Sequence, residues 1–370
     1  MKKLLAFSFL LFSLMNLAGQ AWSDPTSESS LPLPTDRSRI RVAEIPDPDS
    51  PGKRLKVLRT DTDTPLRAGT AWLWSQDPQE QPASYYAELR KAGLNAVRLI
   101  LFDVWIQEAG YKRYNWNDPV YRQAMLARIE RAVNACSANG LYAIINAHNK
   151  NPSPHPNYDE KLNGDFWSAV APYFANRTHV AYELSNEPIS GAGKNGVLDA
   201  EQSKTLQSLA KVHNIARSLA HNTHIMILTP AGISGWGSIN ALGNLTRNFE
   251  KLSGSLDWSK TSVAYHLYHA DVNLFPKSEN LRAFHSEFPG WPSENNFPAD
   301  FSSEKLGIKS GDAERSVSFG SDHFVMQTCE RLGLGWSQWQ INGPEQFHHN
   351  WPLLWNDTKA HHYDWVPDRR

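Results

Sequence analysis

The chain has 370 residues, 41% of them apolar and 20% charged, which is enough to enclose one large core and excludes disorder as its main state. Its formal charge is −1 and no basic run disturbs the balance, so a phosphate-tracking surface for nucleic acid is excluded as well. The two cysteines, Cys136 and Cys329, each lie on an apolar helical stripe and read as core thiols, with no spacing that makes a metal site.

Residues 1–23, MKKLLAFSFLLFSLMNLAGQAWS, join two lysines, an apolar run and small residues, the pattern of a secretory signal peptide. The expected product begins near Trp22 or Asp24 and is secreted or periplasmic, without a membrane span or lipid anchor. Residues 24–65 are rich in Pro, Ser, Asp and Thr and read as a linker plus a small β hairpin built from Arg39–Ile45 and Arg54–Arg59.

Over residues 66–370, strand-like runs fall near 68–74, 94–102, 141–148, 179–187, 223–229, 261–268, 282–288 and 333–340. Helical patterns lie between them. One example is Glu201–Ala220, with Leu206, Leu209, Val212, Ala216 and Leu219 on one side. Eight alternating units predict an α/β fold, a closed (β/α)8 TIM barrel with a short N-terminal β cap. The tail Asn342–Arg370 shows no amphipathic pattern, so the last helix is expected to be short or absent. No G-x-G-x-x-G follows the first strand, and no Walker-type loop is present.

With a period of two, the fourth strand turns Val180, Tyr182 and Leu184 toward the helices and Ala181, Glu183, Ser185 and Glu187 toward the barrel interior. Glu187 then surfaces at the C-terminal end, where barrels carry their chemistry, beside Asn186. Glu183, four residues lower, reads as an internal ion-pair or hydrogen-bond partner. The sixth strand points His266 and Tyr268 inward by the same rule. The seventh, RAFHSEFP, is expected to end at the rim with Glu287.

From about Gly69 to Trp339 these motifs resemble glycoside hydrolase family 5, the cellulase-type retaining enzymes. The matching pieces are Arg98 in GLNAVRL, His148 in GLYAIINAH, Asn186 and Glu187 in YELSNEP, His266 and Tyr268 in HLY, Glu287 in SEF, and a Trp in GWSQW. Either Trp336 or Trp339 fills the sugar-stacking position, and Trp339 is preferred because it shares a face with Gly333, Gly335 and Ser337. The resemblance implies Glu187 as acid/base, Glu287 as nucleophile, and Asn186 on the 2-hydroxyl of the sugar. Arg98, His148, His266, Tyr268 and Trp339 would line the substrate site.

The expected substrate is a β-linked glucan or mannan, polysaccharide or oligosaccharide, cleaved by a monomer that needs no metal or cofactor. The paired histidines His348–His349 and His361–His362 lack metal-ligand spacing. Trp74, Trp105, Trp116, Trp236, Trp291, Trp351 and Trp355 follow strands, and about half of them are expected to touch sugar. A sugar-binding barrel without turnover and a transglycosylase are the alternatives.

Overall fold

A computed structural model describes residues 37–74, 81–91, 94–102, 115–148, 158–189, 197–230, 239–254, 256–267, 278–295 and 325–337. The leader-like residues 1–23 and the tail from Asn342 lie outside the described residues. A hairpin comes first, β1 (Arg41–Pro46) and β2 (Arg54–Arg59), paired antiparallel from Arg41↔Arg59 to Pro46↔Arg54. Eight strands follow: β3 (Arg67–Trp74), β4 (Ala96–Phe102), β5 (Tyr142–Ala147), β6 (Val180–Glu183), β7 (His224–Leu228), β8 (Thr261–Leu267), β9 (Gly290–Asn295) and β10 (Trp336–Ser337). From β3 to β9 each pairs in parallel with the next, and β10 returns to pair with β3.

The described helices sit after successive strands: α1 (Ala83–Lys91), α2 (Pro119–Ala138), α3 (Glu160–Phe174), α4 (Ala200–Leu219), α5 (Ile239–Ser253), α6 (Ser278–Glu287) and α7 (Val325–Arg331). Their starts are coded locally. Asp118 accepts from the backbone of Val120 and Tyr121 ahead of Pro119, and Asp199 and Gln202 form a reciprocal capping box. The (β/α)8 order gives two apolar layers. Val97, Leu99, Ala143, Ile145, Val180, Tyr182, Val263 and Tyr265 belong to the cluster shared with the helices, whereas Ala96, Tyr142, Ile144, Ala181, Met226, Ala264 and Trp291 fill the barrel itself. The alternation read from β6 and β8 is therefore the alternation present.

The segment entering β1 joins the barrel's filling. Ile40 belongs to the inner cluster, Tyr142 donates to the Ser38 carbonyl at 2.7 Å, and the Arg37 guanidinium stacks 4.3 Å from the Tyr142 ring centroid. The ring closes where β10 lies against β9. Here the Leu66 carbonyl accepts from the Trp336 backbone at 2.8 Å and from the Trp291 indole at 3.1 Å. Gly335 is required at this seam, because a Cβ would stand 2.3 Å from the Leu66 oxygen.

The seventh strand departs from the expectation. Residues 282–287 are the last six of the ten residues of α6, and the strand is Gly290–Asn295. Leu281, Phe284, His285 and Phe288 are buried while Ala283, Ser286 and Glu287 are exposed, which is helical spacing rather than alternation. Pro292 disguises the real strand, since proline is tolerated within a sheet chiefly at edges and bulges. A bulge is what accommodates it: Tyr265 pairs with Pro292, but the next residue, His266, pairs with Glu294. Smaller outcomes also follow. Leu219 is 39% exposed and so lies off the buried stripe of α4, and Cys136 and Cys329 are buried free thiols in the outer core.

Burial pushes the imidazoles of His179, His213 and His285 down to about 4 and that of His224 down to about 3. His285 shows the reason: Nδ1 donates to the Lys56 carbonyl and Nε2 accepts from the Tyr265 hydroxyl, a pattern that suits the neutral ring. Unfolding exposes each ring to water, where it binds a proton near pH 6.5. Below that pH the unfolded chain takes up protons that the folded chain refuses, until the folded values are reached. Acidification from about pH 7 to about pH 5 should therefore lower unfolding free energy by roughly 1–2 kcal/mol for each of these rings. Urea midpoints at the two pH values check this, and His285→Gln should flatten the dependence; a midpoint that rises on acidification contradicts it.

Candidate active site

At the C-terminal ends of the strands, four elements bring their polar residues together. β6 continues beyond Glu183 by ladder bonds, Leu184 N to Met226 O and Asn186 N to Ala147 O, both 2.9 Å, and so carries Asn186 and Glu187 to the rim. Glu187 has φ 43°, a left-handed backbone that few non-glycine residues adopt. β8 supplies His266, β4 supplies Arg98 and β9 supplies Glu294.

The bulge decides which way Glu294 faces. Trp291 points into the barrel, and an unbroken strand would turn the residue three positions later outward. The extra residue around Ser293 reverses that, so Glu294 faces inward too, buried with 2% exposure.

Arg98 is fully buried and spends four donors on three partners. Nε and Nη2 grip the two oxygens of Glu183, the latter at 3.0 Å, Nη1 donates to Glu294 Oε1, and Nη2 also donates to Asn186 Oδ1 at 2.8 Å. Burial alone would push this guanidinium down, but the charges of Glu183 and Glu294 outweigh it and hold it above its ordinary value. Above this layer, His266 Nδ1 lies 3.0 Å from Glu187 Oε1 and 3.2 Å from Glu294 Oε2. With an acceptor on each side, Nδ1 carries the ring hydrogen. On β5, Asn146 Oδ1 accepts from His148 Nδ1 at 2.9 Å, which fixes the orientation of that ring.

Glu187, His266 and Glu294 offer one atom each, all within 4.8 Å of one another. Such a group is close enough to share a cation, but an imidazole N–H between two carboxylates already accounts for the spacing. What the trio can do chemically is hold one carboxyl on each side of a bond to be broken. Glu187 is the more accessible of the two, with 13% of its side chain exposed.

The sequence-derived residues divide as follows. Arg98, Asn186, Glu187 and His266 are joined by the contacts just given, His148 is buried at the end of β5, and Glu183 is the internal ion-pair partner expected of it. Glu287 is not in the site. It ends α6 with its side chain 47% exposed and ion-paired to Arg247 of α5. Ser286–Glu287 and Ser293–Glu294 are twin Ser–Glu pairs, and the helical spacing before the first was the signal that separates them. Tyr268 and Trp339 lie outside the described residues, as do Trp105, Trp236, Trp351 and Trp355, and nothing is described of the Trp74 side chain.

Trp336 packs in the outer core and donates to Glu330 at 2.7 Å, so it is no sugar platform. Trp116 and Trp291 are also core residues. Trp116 meets Phe166 edge-on at 4.9 Å, and Trp291 fills the barrel.

Comparison with known proteins agrees with this architecture. The family model described as Cellulase (glycosyl hydrolase family 5) matches residues 51–345. Endoglucanase E-5 of Thermobifida fusca is 26% identical over 249 residues, 66% of this chain and 45% of that protein. The chain thus spans less than half the length of the curated relatives it matches. Among solved structures, the catalytic domain of T. fusca endoglucanase Cel5A (E5) superposes with a TM-score of 0.53 at 20% identity, covering 85% of this chain and 88% of that one. The catalytic domain of a mannanase from Streptomyces sp. SirexAA-E gives a TM-score of 0.53 at 17% identity, covering 83% of this chain and 82% of that one, and a thermostable, halotolerant cellulase from an Icelandic hot spring isolate gives 0.54 at 18% identity, covering 82% of each chain.

Trp291→Ala should act on stability rather than on sugar binding. Emptying a barrel-filling position of this size costs about 3–5 kcal/mol, and a shift in the urea midpoint of the variant reads that loss. An unchanged midpoint with weakened sugar binding would return Trp291 to the substrate surface.

Proposed function

Because the chain belongs to the cellulase family, glycosyl hydrolase family 5, we propose that it cleaves a β-linked glucan or mannan by double displacement with retention, using Glu294 as nucleophile and Glu187 as acid/base. One observation carries this reading: a carboxylate oxygen of Glu187 and one of Glu294 lie within 4.8 Å of each other. Retaining enzymes hold their carboxyl groups about 5–5.5 Å apart, whereas inverting ones need about 6.5–9.5 Å to admit a water. The name endoglucanase on the T. fusca relative favours a β-glucan as the first substrate to test.

In the first step a Glu294 oxygen bonds to the anomeric carbon while the glycosidic C–O bond breaks, and the departing oxygen takes the proton of Glu187. In the second, Glu187 takes a proton from water, the water oxygen bonds to the same carbon, and Glu294 departs as carboxylate. Two inversions give net retention. Arg98 holds the attacking carboxylate, and the Asn186 amide, whose oxygen accepts from the same guanidinium, supports the reading that its NH2 group meets the sugar 2-hydroxyl. The contacts support this division of roles, because Glu294 meets the Arg98 cation as well as the ring N–H of His266, which Glu187 shares.

The leader-like residues 1–23 support a secreted or periplasmic enzyme, and intact mass of the exported protein tests for their removal.

Replacement of Glu294 by Ala should abolish turnover, whereas Glu287→Ala should leave it within about threefold, as for a surface ion pair worth about 0–1 kcal/mol. Glu187→Ala should spare the first step on an aryl glycoside with a good leaving group, and added azide should then yield a β-glycosyl azide. Product analysis by NMR reads the anomeric outcome. An inverted product, or an inactive Glu287→Ala beside an active Glu294→Ala, would overturn the assignment.

A further inference from the structure

Beneath the two carboxylates, the Arg98 fork is aimed by one residue. Glu183 takes Nε and one Nη2 hydrogen on its two oxygens, a bidentate grip that fixes the plane of the guanidinium. Only in that plane do the remaining donors reach Glu294 through Nη1 and Asn186 through Nη2. Glu183 itself is fully buried and has a third tie, to the Thr229 hydroxyl at 3.2 Å.

Thr229 is held at some expense. It has φ 46° and follows Leu228 at φ 76°, both left-handed and both non-glycine, and its backbone N–H is anchored on the Ala264 carbonyl at 2.9 Å. Together with Glu187 these are three of the four positive-φ non-glycine residues among the described ones, and Asp63 in a turn is the fourth. A β-branched residue in this conformation is costly unless its surroundings require it.

We propose that Glu183 and Thr229 are positioning residues for the reaction, acting through Arg98 to set the placement and charge environment of Glu294. The inference rests on the reading of Glu294 as nucleophile. Among the described residues, the charged and titratable groups around this layer are Arg98 from β4, Glu187 beyond β6, His266 from β8 and Glu294 from β9, with Asn146 from β5 pairing in register with Glu183 and holding His148. Glu183 divides the Arg98 charge between two carboxylates. Without its charge, the guanidinium acts on Glu294 alone.

A 2-deoxy-2-fluoro aryl β-glycoside, with peptide mapping of the labelled native enzyme, first tests the nucleophile: label on Glu294 upholds that reading, and label elsewhere overturns it together with this inference. Given label on Glu294, kcat, KM and pH profiles of Glu183→Gln, Thr229→Val and Thr229→Ser on an aryl β-glycoside test the positioning roles. Glu183→Gln should lower kcat about 100-fold with little change in KM, and move the acidic limb about one pH unit lower, since a nearby carboxylate charge is gone. Thr229→Val should shift both in the same direction by less, and Thr229→Ser, which keeps the hydroxyl, should restore native behaviour. A folded Glu183→Gln enzyme with native kcat and an unmoved limb overturns the proposal. If Glu183→Gln does not fold, the Thr229 pair decides, and equal behaviour of Val and Ser overturns it.

Discussion

A guanidinium without access to water sits at the centre of this barrel, and the rest of the site is arranged to make that tolerable. Removing a charge from water costs several kcal/mol unless close partners compensate. Arg98 finds them on β6 and β9 and in the Asn186 amide, so strands from opposite parts of the chain are tied to one group. The same bonds that compensate burial also fix where Glu294 stands. Stability of the interior and geometry of the proposed reaction are therefore not separate properties here.

The two ends of the barrel divide the remaining work. At the end where β5 begins, Arg37, Arg39 and Ile40 seal the interior. Arg39 reaches the Ala175 carbonyl at 2.7 Å and that of Arg177 at 3.2 Å. Among the described residues at that end, left-handed non-glycine backbone is found at Asp63, in the turn before β3. At the other end, around the candidate site, lie the left-handed residues Glu187, Leu228 and Thr229, where surrounding structure can hold strained backbone.

Much of this was legible in the sequence because burial on both faces leaves a simple trace. The apolar runs of β4, β5, β7 and β8 need no partner information to be recognised, and the alternation in β6 placed Ala181 and Glu183 inside before any contact was known. The β9 residue was not legible in the same way. Its strand is short, contains Pro292 and depends on a bulge, and a bulge is a property of the pairing rather than of one strand. The tryptophans failed for another reason: position after a strand does not distinguish a ring turned to the cleft from one turned to the core, and Trp116 and Trp291 were turned inward.

The bulge has a consequence for how this chain tolerates change in length. Facing in a strand is a matter of parity, so the count of residues between Trp291 and Glu294 matters as much as their identity. Deleting Ser293 would leave every atom of the carboxylate intact and still deliver it to the helix layer. If Glu294 has the role proposed for it, a single-codon deletion in β9 would act as a catalytic mutation while leaving the carboxylate itself unaltered.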